Sequence, residues 1–126
     1  MEFKLELVPI PVSDTDGSIA FYTEKLGFEL DHDISPADGL RIVQVTPPGS
    51  ACSIGFGEGW VGTAPGSIQN LHLVVSDIHS VREELVKRGL EISEVDEMSA
   101  PGKPTVSYAY FQDPDGNSWA LQEISG

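Results

Sequence analysis

The apolar and polar positions of this chain follow two different periods, and the same order of periods occurs twice. In the segment 68–76 every second residue from Leu71 to Val75 is apolar, which gives the one apolar face typical of a half-buried strand. In residues 78–88 they recur three or four positions apart, as on one face of an amphipathic helix. Asp77 is suited to cap the start of this helix, and Gly89 is suited to end it. The predicted elements are 3–12, 15–26, 28–34, 39–46 and 51–57 in the first half, and 68–76, 78–88, 90–97, 105–112 and 117–124 in the second.

The two halves also resemble each other in sequence. VSDTDGSIAFYTEKLGFEL (12–30) aligns with VSDIHSVREELVKRGLEIS (75–93), with an offset of 63 residues before the helix and 62 after it. TPPGSACSIGF (46–56) aligns with DPDGNSWALQE (113–123), so both halves are predicted to end in a hairpin. Neither half alone would bury much surface, so the two should share one core. We therefore expect a single domain over 1–126, made of a βαβββ module (1–57), a linker (58–67) and a second βαβββ module (68–126).

The composition of the chain argues against some classes of binding partner. The chain has 20 acidic and 7 basic residues, and this formal net charge of -13 repels nucleic acids and anionic membrane surfaces. The same charge weakly favours a cationic ligand. Cys52 is the only cysteine, so no internal disulfide can form, and no stretch is apolar over the length of a membrane span. The N-terminal residues do not have the pattern of a signal peptide either, and we expect a soluble cytoplasmic protein.

Three of these features together resemble a known family. Two βαβββ modules, SIAFYTEKLGF (18–28) after the first strand, and FQDPDGNSWALQE (111–123) near the end are similar to the vicinal oxygen chelate superfamily. That superfamily includes glyoxalase I, extradiol dioxygenases, fosfomycin-resistance enzymes and bleomycin-resistance proteins. The resemblance implies an α+β fold in which the strands of each module form a half-barrel around a pocket, with the helix outside. It also implies a homodimer in which two chains share each pocket, but it leaves the chemistry open.

Strand alternation assigns side chains to the concave face of each half-barrel. Leu71 and Leu73 form an apolar face toward the helix, which leaves His72 facing the pocket. Repeat and hairpin pairing extend this argument to the other strands, and Arg41 is expected to face Ser53. The predicted ligand-binding residues are Pro9, Arg41, Ser53, Trp60, His72, Tyr108, Tyr110, Ala120 and Gln122. Such a lining suits a planar organic ligand, with Trp60 either a cap over the pocket or a packing anchor.

Metal-dependent members of the superfamily hold their ion at one inward position on the first and last strand of each module. The resemblance carries these positions onto Pro9, Ser53, His72 and Ala120. Only His72 binds a divalent metal well, whereas a catalytic metal usually has about three protein ligands. The sequence therefore predicts no metal and no cofactor. A β-bulge beside the last turn would turn Glu123 inward, and His72 with Glu123 is the alternative site for Zn²⁺, Ni²⁺, Mn²⁺ or Fe²⁺.

Three functional hypotheses follow. The first is a metal-independent protein, similar to bleomycin-resistance proteins, that sequesters a small organic compound of aromatic and cationic character. The second is a glyoxalase-like lyase, isomerase or dioxygenase that uses a divalent metal. The third is a metal-free enzyme in which His72 or a Tyr is the general acid or base.

Overall fold

The secondary structure repeats once along the chain. The computed structural model describes residues 1–125, and within them the strands form two four-stranded sheets, one in each half. The first half contains β1 (Leu7–Pro9), α1 (Thr15–Ala20), a π-helical turn (Phe21–Lys25), β2 (Glu29–Ala37), β3 (Leu40–Thr46) and β4 (Ser53–Glu58). The second contains β5 (Leu71–Val74), α2 (Ile78–Lys87), β6 (Asp96–Met98), β7 (Thr105–Gln112) and β8 (Ser118–Ser125).

Both sheets have the same topology, which confirms the predicted α+β fold of two βαβββ modules. The strand orders are β1-β4-β3-β2 and β5-β8-β7-β6. In each sheet the first strand pairs in parallel with the last, and the other pairs are antiparallel. Neither sheet closes into a barrel within the described residues. Each half thus presents one open face and one face covered by its helix.

Several predicted strands are shorter than expected, and one of them, 68–76, is reduced to Leu71–Val74 of β5. The strand predicted at 3–12 is reduced to the three residues of β1. The Ile10 amide still donates to the Gly55 carbonyl, but the next residue, Pro11, has no N–H with which to extend the ladder. The strand predicted at 90–97 begins only at Asp96. Before that point the Ser93 amide donates to the Tyr110 carbonyl at 2.9 Å, and the Tyr110 amide donates to Ser93 Oγ at 2.8 Å. The Tyr110 amide is thus bonded to the Ser93 side chain and not to a backbone carbonyl, so the backbone ladder does not continue.

A π-helical turn absorbs the extra residue of the first helix. The offset between the modules falls from 63 to 62 across the helices, so the first helix is one residue longer. In the structure the Leu26 amide donates to the Phe21 carbonyl at 3.3 Å, five residues back, which is the π-helical pattern. The adjoining Phe21 and Tyr22 side chains are both buried.

The core lies between the helix-facing sides of the two sheets. Tyr22 is central to it, with its ring 5.7–5.8 Å from those of Phe28, Phe56 and Trp119. The buried apolar residues that form this core cluster are Ile10, Phe21, Tyr22, Phe28, Val43, Val45, Ile54, Phe56, Ile78, Leu85, Leu90, Ala109, Phe111, Trp119 and Leu121. Since both modules contribute to this cluster, their open faces point away from it.

The DPDG turn between β7 and β8 joins the modules through buried polar groups. The Tyr22 hydroxyl donates to Asp113 at 2.8 Å and accepts from the Trp119 indole at 3.1 Å. The Asn117 side-chain amide donates to Asp113 and to the Pro11 carbonyl, both at 2.8 Å. Burial, and then the Asp113 carboxylate, raise the pKa of Tyr22 far above its ordinary value. The tyrosine hydroxyl therefore stays protonated near neutral pH and can donate to Asp113.

Candidate functional site

The open face of the second sheet carries a cluster of polar and aromatic side chains. In register, Ala120 of β8 lies between His72 of β5 and Tyr110 of β7. Gln122 lies beside Tyr108 one pair further along the same hairpin. The structure thus brings five of the residues predicted to line the pocket onto one face, as strand alternation requires.

The rings on this face are arranged around a small residue. His72 meets Tyr108 edge to face, with ring centroids 5.9 Å apart, and Tyr108 lies parallel to Tyr110 at 6.1 Å. The Gln122 amide donates to the Tyr108 hydroxyl at 3.4 Å. Ala120 has only a methyl group and is buried beneath the side chains, so it forms a shallow floor. The face can accept a flat apolar surface and offers hydrogen-bonding groups around it.

A groove continues from this face toward the start of β5. Its volume is about 690 Å³, within the range of small-molecule sites. The lining residues are Asn70, Glu91, Ile92, Ser93, Tyr110, Phe111, Gln112, Asp113, Ser118 and Trp119. Of the residues predicted to bind a ligand, only Tyr110 lines it. The segment 91–93 contributes because it leaves the sheet, which the predicted strand at 90–97 did not anticipate.

In the first sheet, the prediction that Arg41 faces Ser53 on the pocket side is wrong. Val43 pairs with Phe56 on the buried, helix-facing side, and Arg41 lies on that side too. Ser53 instead faces Gln44, whose amide donates to Ser53 Oγ at 3.1 Å. The hairpin loop of the first half, 47–52, is one residue longer than that of the second, 113–117. A change of one residue exchanges the two faces of a strand, so the pairing could not be transferred between the halves.

Arg41 is engaged in ion pairs on the helix side. Its guanidinium lies 2.9 Å from carboxylate oxygens of both Asp33 on β2 and Asp16 on α1. The hydrogen bonds from Arg41 hold the pKa of Asp33 below its ordinary value, and the Asp33 and Asp16 carboxylates in turn raise the pKa of Arg41. The side chain therefore ties the helix to the sheet and is directed away from the open face.

Trp60 covers part of the open face of the first sheet. Its indole N–H donates to the Arg41 carbonyl at 3.0 Å, and the ring lies against two glycines. A Cβ atom at Gly55 would be 2.8 Å from Trp60 Cη2, and one at Gly57 would be 3.1 Å from Trp60 Nε1. The indole can occupy this place only because these strand positions have no side chain. Trp60 is therefore a packing anchor, and since it remains half-buried, part of its ring is still accessible.

Pro9 lies at the edge of the same sheet. It pairs in register with Gly55, and its side chain is exposed. Ser53, two residues before Gly55, is buried, and its hydroxyl is hydrogen-bonded to Thr46 at 2.6 Å. This face therefore offers one aromatic ring beside hydrogen-bonded hydroxyl and amide groups, which also contact the Asp31 and Glu6 carboxylates.

His72 and Glu123 do not form the alternative metal site. The β7–β8 register runs without a bulge, so Glu123 lies on the helix-facing side opposite to His72. Its carboxylate accepts a hydrogen bond of 2.9 Å from the Ile78 amide at the start of α2. Within the described residues no group of three or more His, Cys, Asp or Glu side chains is placed to hold an ion. His72 is thus the one good metal ligand among the four positions that the resemblance indicated, and Glu123 does not join it.

The sequence and the fold of this chain are similar to those of known proteins. Residues 4–121 match the sequence model of the Glyoxalase/Bleomycin resistance protein/Dioxygenase superfamily. The sequence has no match among curated proteins. No helix within residues 1–125 has the length and apolar character needed to cross a membrane.

Several solved structures share the fold over almost their whole length. TnmS3, an antibiotic binding protein from Streptomyces sp. CB03234, has 30% identity and a TM-score of 0.80, with 98% of each chain covered. A glyoxalase/bleomycin resistance protein from the same Streptomyces strain has 30% identity and a TM-score of 0.73, covering 94% of this chain and 98% of that one. A superfamily member from Sphaerobacter thermophilus DSM 20745 has 27% identity and a TM-score of 0.77, covering 97% and 98%.

Proposed function

The chain belongs to the glyoxalase/bleomycin resistance protein/dioxygenase superfamily, and from this premise we propose that it is a metal-independent protein that binds and sequesters an aromatic small molecule. The observation that carries the proposal is the character of the two open faces. His72, Tyr108 and Tyr110 line one face and Trp60 lies on the other. Aromatic rings held in place by packing are suited to stacking against a planar ligand.

The donor chemistry supports binding without a metal. Of the four positions where metal-dependent relatives hold their ion, only His72 offers a good ligand, and Glu123 is engaged at the end of a helix. The antibiotic-binding activity of TnmS3, a protein of the same fold and length, supports a role in sequestration. The net charge of -13 favours a cationic ligand over an anionic one.

We propose that the working form is a homodimer. Each open face points away from the core of its own chain, so a second copy is the simplest partner that could enclose a ligand. Apolar side chains on the open face of the second sheet support this, because Val74 is 71% exposed and Ile124 is 57% exposed. The proposed compartment is the cytoplasm, with which a single unpaired cysteine is compatible.

The test combines metal analysis with ligand titration. Tag-free protein is incubated with Zn²⁺, Ni²⁺, Mn²⁺ or Fe²⁺, desalted, and analysed by mass spectrometry. It is then titrated with proflavine, a cationic planar fluorophore, and with 9-anthracenecarboxylate, an anionic one of similar size. We expect metal far below one ion per chain, and proflavine binding on the order of micromolar that EDTA does not change.

Two variants examine the aromatic surface on the first sheet. Trp60→Ala removes the ring, and Gly55→Ala displaces it because the new Cβ would lie 2.8 Å from Trp60 Cη2. Each should weaken proflavine binding by about tenfold, the loss expected for one stacking contact. Val86→Ala, an exposed position on α2, is the control and should bind as the wild type does. About one tightly held ion per chain, lost in His72→Ala, would contradict the proposal and favour the metalloenzyme hypothesis.

A further inference from the structure

The hydrogen bond made by His72 determines which of its ring nitrogens carries the proton. Nδ1 of His72 lies 2.6 Å from the carbonyl oxygen of Asn70. A carbonyl can only accept, so Nδ1 is the donor. In a neutral imidazole the other nitrogen, Nε2, then has no hydrogen and presents a lone pair.

The backbone that supplies this carbonyl is in a conformation that few residues adopt. Asn70 has a φ of 63°, and it is the one non-glycine residue within 1–125 with a positive value. Asn tolerates this region better than most residues do, but conformations of this kind persist only where the surroundings hold them. Here the Asn70 amide donates to Ser118 Oγ at 2.8 Å, which fixes the residue against β8. The imidazole is thus oriented by a segment that is itself anchored.

The second ring nitrogen of His72 is free for a ligand. The side chain is exposed on the open face, above the small Ala120 and against the edge of Tyr108. The nearby Gln122 amide is used by the Tyr108 hydroxyl. Within the described part of the chain, the bond to Asn70 is the hydrogen bond that the His72 ring makes. An acceptor is therefore presented beside aromatic surface, where the edge of a stacked ligand would lie.

We infer that His72 Nε2 selects aromatic ligands that carry a hydrogen-bond donor, such as a phenolic hydroxyl, at their edge. This rests on the function proposed above and names the chemistry of the ligand at that same site. His72 is then a specificity-determining residue, and Asn70 is a positioning residue that keeps Nε2 as the acceptor. A ligand of the same shape without the donor would lose this hydrogen bond and leave Nε2 unpaired.

A pair of fluorescent probes tests the inference. 1-Hydroxypyrene and 1-methoxypyrene have the same aromatic surface, but only the first can donate a hydrogen bond. We expect the wild-type protein to bind 1-hydroxypyrene about tenfold more tightly, the difference that one hydrogen bond produces. His72→Phe keeps a flat ring and removes both nitrogens, so the affinity ratio of the two probes should fall to about one.

Two further variants separate recognition from folding. His72→Gln, whose amide oxygen can accept, should retain a preference for 1-hydroxypyrene of a few-fold. His79→Phe makes the same substitution at an exposed histidine on α2 and should retain the full wild-type ratio. A wild-type ratio near one, or a ratio that persists in His72→Phe, would overturn the inference while leaving aromatic binding intact. Failure of both probes to bind the wild type would instead overturn the proposed function itself.

Discussion

At the scale of single residues, the most connected side chains lie in the last turn. Asp113 accepts from the Asn117 side chain, and both act together with Tyr22 of the other module. The motif DPDGN indicated a turn, and its long-range partners became visible only when the chain was folded. These polar residues hold the two modules together and thereby set the positions of the open faces.

Removing one hydroxyl should test this network. Tyr22→Phe leaves the Trp119 indole without its acceptor and removes one donor from Asp113 in a buried site. We expect the free energy of unfolding, measured by urea denaturation, to fall by about 1–3 kcal/mol. Tyr110→Phe, on an exposed ring, should change it by less than about 0.5 kcal/mol. Equal effects of the two changes would argue against the network.

The ion pair of Arg41 should give the stability a specific dependence on pH. Because the pKa of Asp33 is lowered in the folded state, its contribution is present above the unfolded value of about 3.9 and is lost as pH falls through the lower folded value. Asp33→Asn should therefore be less stable than the wild type at pH 7, and the difference should shrink below pH 4. Thermal unfolding between pH 2.5 and 7 measures this difference. Asp38→Asn, an exposed acid in the β2–β3 turn, should show no such convergence.

At the scale of elements, the two helices show how similar sequences become different structures. The first includes a π-helical turn where one residue has been added. The second receives a carboxylate from the last strand at its first amide, in addition to its own N-cap, Asp77. Strand β8 thus stabilises the helix on one face while its other face carries Ala120 and Gln122 of the candidate site.

The role of Glu123 at this helix can be measured. Glu123→Gln keeps an oxygen that accepts from the Ile78 amide but removes the negative charge from the helix N-terminus. We expect a loss of about 0.5–1 kcal/mol in unfolding free energy in low salt and a smaller loss in high salt. Glu97→Gln, at an exposed position on β6, is the control. An unchanged stability together with a lowered Zn²⁺ affinity would contradict the structural role assigned here.

At the scale of the whole molecule, the chain has two open sheet faces, and both are directed away from the one core. Within residues 1–125 of one chain, each face is a sheet surface and not an enclosed cavity. Residues 1–6 extend past β1 with Phe3 and Leu5 exposed, which adds further apolar surface beyond the first sheet. Both features favour a second copy of the chain as the partner that completes the pocket.

Sedimentation velocity should detect this assembly. We expect twice the mass of one chain at micromolar concentration, and a shift toward the monomer in Ile124→Lys, since a charge would replace an exposed apolar side chain on the second sheet. Val86→Lys, a 47% exposed site on α2, should remain dimeric. A wild-type chain that stays monomeric up to about 100 μM would contradict the homodimer and require another way to enclose the ligand.

The order of elements, the repeat of two βαβββ modules, and the faces of β5, β7 and β8 could all be predicted from the amino-acid sequence. These features depend on local periodicity, and the two strands of the second hairpin could be paired directly across one short turn. The same reasoning named His72, Tyr108, Tyr110, Ala120 and Gln122 as neighbours on one face.

The face of Arg41, the place of Trp60 and the role of Glu123 became visible only in the folded chain. A loop longer by one residue reverses the face of a strand, so the pairing of the first hairpin could not be copied from the second. Trp60 packs where Gly55 and Gly57 leave room, and Glu123 meets a helix start 45 residues away in sequence. Such contacts join residues that are far apart in sequence. Hydrophobic periodicity and local propensity describe only neighbouring residues, so they do not predict these contacts.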